Sequence, residues 1–324
     1  MASLKNIKLK ILSYKKTGTV THAMEAVSAV KMRKGQERAL SGRAYAAAAL
    51  TVLERLAGTA DIGRHPLMQD RQIVGDTGEG SNPRIQVTRS IKTCIIVVTS
   101  DKGLAGSLNS GVIRKAEQEL TARKLAKDDA IIIAIGRRGA DYFASRGYDV
   151  RERHENIADA VSEADIRKVT DTVLKAHSDG EVSACLIAYQ NFLSTFEQQP
   201  TVRQIVPITT ESMREIVAGI RPAKGRYSPK PDEVTPHRVP VYTIEPDTDA
   251  VLSVLLPKLL NIAIFHALLE NKASEHSARM VAMKSATDKA KEMAGDLTRT
   301  FNKVRQAAIT REVSEITSGI EAMK

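Results

Sequence analysis

The sequence predicts an α/β fold in which a compact, mainly parallel sheet domain is flanked by two long helices that pair as an antiparallel coiled coil. Both terminal segments carry small or apolar residues at helical spacing, strand-like and helix-like segments alternate between them, and polar loops separate these zones. The predicted boundaries are 1–57 for the N-terminal coiled-coil helix, 58–249 for the α/β domain and 250–324 for the C-terminal coiled-coil helix.

The N-terminal segment has no proline between residues 4 and 57, and one side of it reads as an apolar stripe. The stripe steps by three or four residues through Leu4, Ile7, Ile11, Tyr14, Gly18, Thr21, Met24, Val27 and Val30. Such spacing places side chains on one face of a helix. Gly18 lies within this face, where a missing side chain allows another backbone to come close. We expect Met24 to be buried there.

The central segment alternates between two kinds of pattern. Strands are predicted at 93–99, 130–135 and 184–189, and helices at 108–126, 139–146 and 158–177. Apolar strands separated by helices indicate a mainly parallel sheet. Residues 75–90 and 222–240 are rich in glycine or proline and read as flexible loops.

The C-terminal segment is predicted to be one continuous helix over residues 259–318, which follow Pro257 and contain no proline. At 1.5 Å per residue this helix would be ~90 Å long, which exceeds the span of an ordinary domain. Its stripe consists of Met280, Met283, Thr287, Ala290, Ala294, Leu297, Phe301, Val304 and Ala308. Near the end the stripe shifts to Ile309, Val313, Ile316 and Ile320. The apolar face therefore rotates around the helix axis there.

The net charge of +10 is concentrated in the terminal segments. Residues 1–57 hold 11 Lys and Arg against 3 Glu, and residues 258–324 hold 11 against 8 acidic residues. A basic stripe of this kind favours an acidic partner, which the charge alone leaves open between nucleic acid, a membrane surface and acidic protein loops. No apolar run approaches ~20 residues, and the start lacks a signal-peptide pattern. We therefore expect a soluble chain that meets a membrane only through partners.

Side chains that support chemistry are sparse. Cys94 and Cys185 lie in apolar runs and are expected to be small core residues, because two lone cysteines give no zinc spacing. The seven histidines are scattered without a metal-ligand pattern. We expect no catalytic residue, no metal and no cofactor.

The stretch TSDKGLAGSLNS, residues 99–110, follows an apolar strand and raises the question of a phosphate-binding loop. Gly103 and Gly106 are too close for a P-loop, no lysine follows the second glycine, and the dinucleotide pattern is also absent. The interpretation is a tight strand-to-helix turn with Ser107 or Asn109 as the helix cap.

Four segments together resemble the γ subunit of F-type ATP synthases. They are THAMEAVSAVKMRKGQ (21–36), SDKGLAGSLN (100–109), ASEHSARMVAMKSATDKA (273–290) and FNKVRQAAITREVSEITSGIEA (301–322). They follow the family order over both ends and the middle of the chain. The sequence departs from the family pattern at Ala105, Ser107 and Gly18, and its segment 58–89 is longer than in the compact bacterial version.

The resemblance implies a fold and a task. In that family the terminal helices form a coiled coil inside the hexamer of α and β subunits (α3β3), and a Rossmann-like α/β domain rests on the membrane c-ring with the ε subunit. The subunit turns with the ring, transmits torque and couples ion flow to ATP synthesis or hydrolysis at the β subunits. It binds no nucleotide and no nucleic acid. The implied location is peripheral, on the cytoplasmic face of a bacterial plasma membrane.

The resemblance also implies roles for individual residues. Arg305 and Gln306 would form a hydrogen-bonding catch against β-subunit carboxylates, which a guanidinium can bind through two parallel bonds. Met24, Glu275 and Arg279 would border the β-facing surface, although Glu275 and Arg279 also suit a simple ion pair four residues apart. The residues expected at the bearing tip are Ile309, Val313, Ile316 and Ile320, and those expected at the c-ring and ε contact are Tyr242 and Glu245.

Two other classes of protein remain as alternatives. A nucleic-acid-binding coiled coil suits the basic N-terminal helix, but the basic residues lack interleaved aromatic side chains and a recognised binding motif. A small α/β enzyme with helical arms would need a convergent set of catalytic side chains, and the sequence shows none.

Overall fold

A computed structural model describes residues 4–41, 48, 51–54, 56, 65–69, 92–212, 214 and 247–323. The helices are α1 (Leu4–Ser41), α2 (Leu108–Ala122), α3 (Arg137–Ser145), α4 (Glu163–Ser178) and α5 (Thr248–Ala322). The strands are β1 (Lys92–Val98), β2 (Ala130–Ile135), β3 (Asp149–His154), β4 (Val182–Phe192) and β5 (Gln198–Val206). Short 3-10 turns occur at Pro66–Met68 and Lys127–Asp129.

The chain forms two compact units, and both long helices contribute to each of them. The first unit contains residues 1–30 and 279–324, and the second contains residues 31–278. These boundaries differ from those predicted at 57 and 249, because the first part of α5 packs into the core of the α/β unit.

The second unit is organised by a five-stranded sheet of order β3-β2-β1-β4-β5. The pairs β1–β2, β1–β4 and β2–β3 are parallel, and only β4–β5 is antiparallel among the described strands. The predicted mainly parallel sheet is confirmed. Strand β2 is buried along its whole length, as expected for a parallel sheet that is covered on both faces.

Helices cover both faces of this sheet. Side chains of α2 and α3, such as Val112 and Phe143, pack with Ile95 and Ile132 on one face. The other face is covered by α4 and by the first third of α5, whose apolar side chains run from Leu252 to Leu268. The core of the second unit therefore contains part of the long C-terminal helix.

Several predicted elements differ from the structure. The predicted helix at 158–177 begins only at Glu163, because the Ser162 hydroxyl caps it by accepting a hydrogen bond from Asp165 N. The C-terminal helix begins at Thr248 and continues through Pro257. Strands β3 and β5 were not predicted.

We expected no apolar stretch long enough to cross a membrane, but by length and composition alone α5 contains one. An 18-residue window of α5 has a mean hydropathy of 1.9, and half of it is buried inside the protein. Because its leucines pack against the sheet, this stretch reads as the core helix of an α/β unit.

Candidate functional site

The first unit is built around a seam of small side chains where α1 meets α5. The hydroxyl oxygens of Thr21 and Thr287 lie 2.6 Å apart, and both side chains are buried. A Cβ atom added to Gly18 would lie 3.6 Å from the Cβ of Ala290. Because these partners advance along α1 as they retreat along α5, the two helices run antiparallel, as predicted.

The seam on α5 follows the predicted stripe. Its buried members are Met283, Thr287, Ala290 and Ala294, and its half-buried members are Met280, Leu297, Phe301, Val304 and Ala308. These small and medium side chains allow the helix axes to come close, although each of them buries little apolar area.

The seam on α1 departs from the prediction after Thr21. Val27 and Val30 are 56% and 58% exposed, and Ser28 is buried instead, with its hydroxyl donating to the Met24 carbonyl at 2.7 Å. Ser28 follows Thr21 by seven residues, which keeps it on the same helix face, whereas both valines lie off that face. Met24 is half-buried rather than fully buried.

The end of α5 extends past the last buried member of the seam. Arg305 and Gln306 are exposed. The four predicted tip residues are 52–63% exposed: Ile309, Val313, Ile316 and Ile320. Within the part of the chain that the structure describes, this apolar stripe packs against no partner helix.

The loop at residues 99–110 is a tight turn, as predicted, but its details differ. Gly106 has a positive φ of 59°, and so does Leu104 at 64°, whose side chain is 62% exposed. Ser107 occupies the N-cap position of α2 without a side-chain cap. The Asn109 side chain instead accepts a hydrogen bond from Ser100 N at 2.9 Å, so the predicted capping role of these two residues was wrong.

The carboxyl edge of the sheet, where doubly wound folds bind their ligands, is occupied by internal hydrogen bonds. The two carboxylate oxygens of Asp101 accept hydrogen bonds from Arg137 N and Asn156 N, each at 3.0 Å. Lys272 Nζ of α5 donates to the Ile157 carbonyl at 2.9 Å. Charged groups at this edge are therefore used to join loops to one another and to α5.

Residues that could hold a metal are not grouped in the described ranges. No three His, Cys, Asp or Glu side chains come together there. Cys94 and Cys185 are buried, are not joined in a disulfide and lie opposite each other on β1 and β4, which confirms them as core residues.

A buried polar cluster between α5 and the sheet was missed by sequence reasoning. His266 Nε2 lies 3.4 Å from Glu270 Oε1, and both side chains are 6% exposed. Burial raises the pKa of Glu270 to about 8, although nearby Arg203 and a hydrogen bond from Tyr189 lower it. Burial, reinforced by Arg203, lowers the pKa of His266 to about 3. At neutral pH the contact therefore joins two uncharged groups rather than an ion pair.

A second missed group is centred on Asp159, which lies between β3 and α4. Its carboxylate accepts hydrogen bonds from Lys31 of α1 and His276 of α5. Burial raises the pKa of Asp159, but these two partners outweigh it and hold the pKa at about 2. Sequence analysis missed this group because it placed Asp159 in a helix beginning at residue 158, whereas Asp159 lies in the loop before α4.

The whole chain matches a known family. The family model described as ATP synthase matches residues 3–323. The ATP synthase gamma chain of Heliobacterium modesticaldum is 34% identical over 323 residues, which cover 100% of both chains.

The chain belongs to the ATP synthase gamma chain family. Solved structures resemble its fold. A chain of the F1/c-ring part of the Euglena gracilis mitochondrial ATP synthase has a TM-score of 0.60 at 16% identity, with 99% and 94% of the two chains covered. A chain of the central stalk and c-ring of the Tetrahymena thermophila mitochondrial enzyme has a TM-score of 0.54 at 20% identity, with 82% and 99% covered.

Membership of the gamma chain family leaves the residue-level roles as predictions. Glu275 is buried in the second unit, whereas Arg279 is half-buried in the first, so the structure does not present them as one exposed site. Tyr242 and Glu245, with the predicted loops at 75–90 and 222–240, lie outside the described residues.

Proposed function

We propose that this gamma chain is the non-catalytic central shaft of an ATP synthase. It turns with the membrane c-ring inside the hexamer of α and β subunits, together with an ε subunit, and couples ion flow to ATP synthesis or hydrolysis at the β subunits. The observation that carries this proposal is the antiparallel coiled coil formed by the two ends of a chain that matches the family along its whole length.

The shaft would act through differential contacts. A protein that binds one conformation of its partner better than another shifts the partner toward that conformation. An asymmetric shaft would therefore favour a different β-subunit state at each angle, without supplying an acid, a base or a nucleophile.

The exposed end of α5 would provide two kinds of contact. The apolar stripe of the tip residues would slide in a smooth bearing, because apolar contacts are not directional. Arg305 and Gln306 would form the more specific catch, since charge-assisted hydrogen bonds to carboxylates are directional. Met24, Arg279 and Glu275 are proposed to border the β-facing surface, although Glu275 is buried in this chain alone.

The globular unit would provide the membrane-proximal contact. Tyr242 and Glu245 are proposed to meet the c-ring and the ε subunit. The chain would then reach the cytoplasmic face of a bacterial plasma membrane only as part of the complex.

The catch is tested by combining Arg305→Ala with Gln306→Ala in the assembled complex. Removing charge-assisted hydrogen bonds worth ~1.5 kcal/mol should lower coupled ATP turnover by about tenfold while assembly is retained. Arg299→Ala is the matched control, because Arg299 lies on the same helix with its side chain 85% exposed and pairs with Asp296 of that helix. Equal turnover in the double variant and the control, with both assembled, would show that there is no catch.

The non-catalytic role is tested on the chain alone. The purified, partner-free chain should show no ATP hydrolysis above buffer, and addition of α and β subunits should give a complex that contains it. Steady hydrolysis by the chain alone would favour the enzyme alternative, and a salt-sensitive DNA complex without subunit binding would favour the nucleic-acid alternative.

A further inference from the structure

The loop at residues 155–162, between β3 and α4, is tied to both long helices. Lys31 Nζ of α1 lies 2.8 Å from Asp159 Oδ2, and His276 Nε2 of α5 lies 3.0 Å from Asp159 Oδ1. Each oxygen of one carboxylate is therefore used by a different helix. His276 has only 6% of its side chain exposed, so its side of the contact is shielded from solvent.

The backbone of the same loop accepts two further hydrogen bonds from these helices. Arg38 Nη1 of α1 donates to the Asp159 carbonyl at 2.9 Å, and Lys272 Nζ of α5 donates to the Ile157 carbonyl at 2.9 Å. Both carbonyls and all the donor side chains belong to the second unit. The loop thus receives two cationic side chains from α1, and one lysine and one histidine from α5.

The other side of the loop is joined to the sheet. Asn156 N donates to Asp101 Oδ2 at 3.0 Å, and Asp101 Oδ1 accepts from Arg137 N at 3.0 Å. The loop therefore joins α1, α5 and the carboxyl edge of the sheet through hydrogen bonds.

At Gly35, α1 offers no side chain that could interlock with α5. A Cβ atom added to Gly35 would lie 3.5 Å from Ala273 Cα, so two nearly smooth helix surfaces meet there. Lys31 and Arg38 are seven residues apart, which places them on the same side of α1 two turns apart. Side chains that hold one side of a helix at two levels oppose its rotation about its own axis.

We propose that Asp159 is a positioning residue that locks α1 to α5 and to the sheet, so that torque carried by the α/β unit reaches both helices. The proposal rests on the shaft function proposed above. An aspartate suits this role because one carboxylate accepts hydrogen bonds from two donors, here a lysine and a histidine, at once. Asparagine has a similar size but offers one acceptor oxygen and a competing NH2 donor.

The test measures torsional fluctuations in the assembled complex. A probe is fixed to the α/β unit, the hexamer of α and β subunits is immobilised, and the variance of the probe angle is recorded without nucleotide. Two helices in parallel share a load and variance is inversely proportional to stiffness, so complete loss of the contribution of α1 would double the variance. Asp159→Asn removes the Lys31 contact but keeps the bond from Arg38 to the backbone carbonyl, so the variance should rise by less than twofold. Amides of residues 155–162 should also exchange hydrogen about tenfold faster.

The matched control is Asp141→Asn. Asp141 is an exposed aspartate of the same unit, and it pairs with Arg153 at 3.4 Å rather than with either long helix. This variant should leave the variance unchanged. Lys31→Gln should also raise the variance, and adding it to Asp159→Asn should change little, because both substitutions remove the same Lys31–Asp159 contact.

The outcomes separate the two proposals. If the unmodified chain rotates during ATP hydrolysis but Asp159→Asn and Lys31→Gln both keep its variance, the lock is disproved and the shaft function stands. If the unmodified chain does not rotate, the shaft function itself fails. Should Asp159→Asn not assemble, Lys31→Gln decides alone, because Lys31 is about half exposed and its replacement leaves the loop sequence intact.

Discussion

Between pH 6.5 and pH 8 this protein should lose stability, and Glu270→Gln should abolish most of that loss. Glu270 is buried beside His266, and its pKa is raised to about 8 from an ordinary 4.5. Between these values the folded state binds more protons than the unfolded state, so stability falls as pH rises. Glutamine keeps the shape and the hydrogen-bonding groups of a protonated carboxyl but does not titrate.

The magnitude follows from the two opposing groups. The pKa of His266 is lowered from 6.5 to about 3, so its contribution to stability rises with pH up to 6.5 and offsets Glu270 there. Above pH 6.5 the unfolded state still loses the remaining half of its His266 proton, so His266 continues to offset Glu270 by a few tenths of a kcal/mol. At 1.36 kcal/mol per pH unit, Glu270 lowers the unfolding free energy by ~1.5 kcal/mol between pH 6.5 and 8, and with the opposing His266 contribution the net fall is ~1 kcal/mol.

The assay is urea denaturation of the purified chain at pH 6.5 and pH 8. The difference in unfolding free energy between the two pH values should shrink from ~1 kcal/mol to within a few tenths of zero in Glu270→Gln. Glu292→Gln, the same change at an exposed position that pairs with Lys289, should leave the difference as it is. An equal pH dependence in Glu270→Gln and the unmodified chain would mean that Glu270 is ionised in the folded protein.

Two glycine substitutions should have opposite effects. Gly18→Ala should raise the unfolding free energy by ~0.5–1 kcal/mol, because the new methyl would meet Ala290 at an ordinary distance and alanine favours the helix; a lower melting temperature would contradict this. Gly136→Ala should cost about 3 kcal/mol or more, because φ is 96° and the methyl would overlap the Thr99 carbonyl; soluble variant protein with an unchanged melting temperature would rule out that strain.

The sequence predicted elements well where burial alone determines the pattern. The strand at 130–135 was predicted at its observed bounds, because a fully buried parallel strand is a continuous apolar run. β3 was missed because it is an edge strand, DVRERH, with charged residues and no buried position. β5 was missed because it is polar and contains Pro200, which an edge strand tolerates but which argues against a central one.

The candidate site was predictable only in part for a related reason. The stripe at the end of α5 follows from periodicity, and its four residues are exposed in the structure, while their role as a bearing stays a prediction. The polar groups around Asp159 and Glu270 join residues more than 60 positions apart in sequence, such as Asp159 with His276 and Glu270 with Tyr189. Periodicity within one element carries no information on such pairs. The one local signal was His266 and Glu270 themselves, two polar residues in an apolar stretch.

The register of the coiled coil also could not be predicted from periodicity, and one hydrogen bond shows why. Both Thr21 and Thr287 lie in the predicted stripes, but stripes of small residues fit many registers because alanine and glycine offer little shape. The two hydroxyls meet at 2.6 Å, and each also lies within bonding distance of carbonyls of its own helix, such as Gly18 and Met283. Each hydroxyl has one proton, so one threonine donates to the other and the second donates to its own helix. Sliding α1 along α5 would separate this pair while small residues still packed, so the buried hydroxyl pair favours one register over its neighbours, as single polar residues do in other coiled coils.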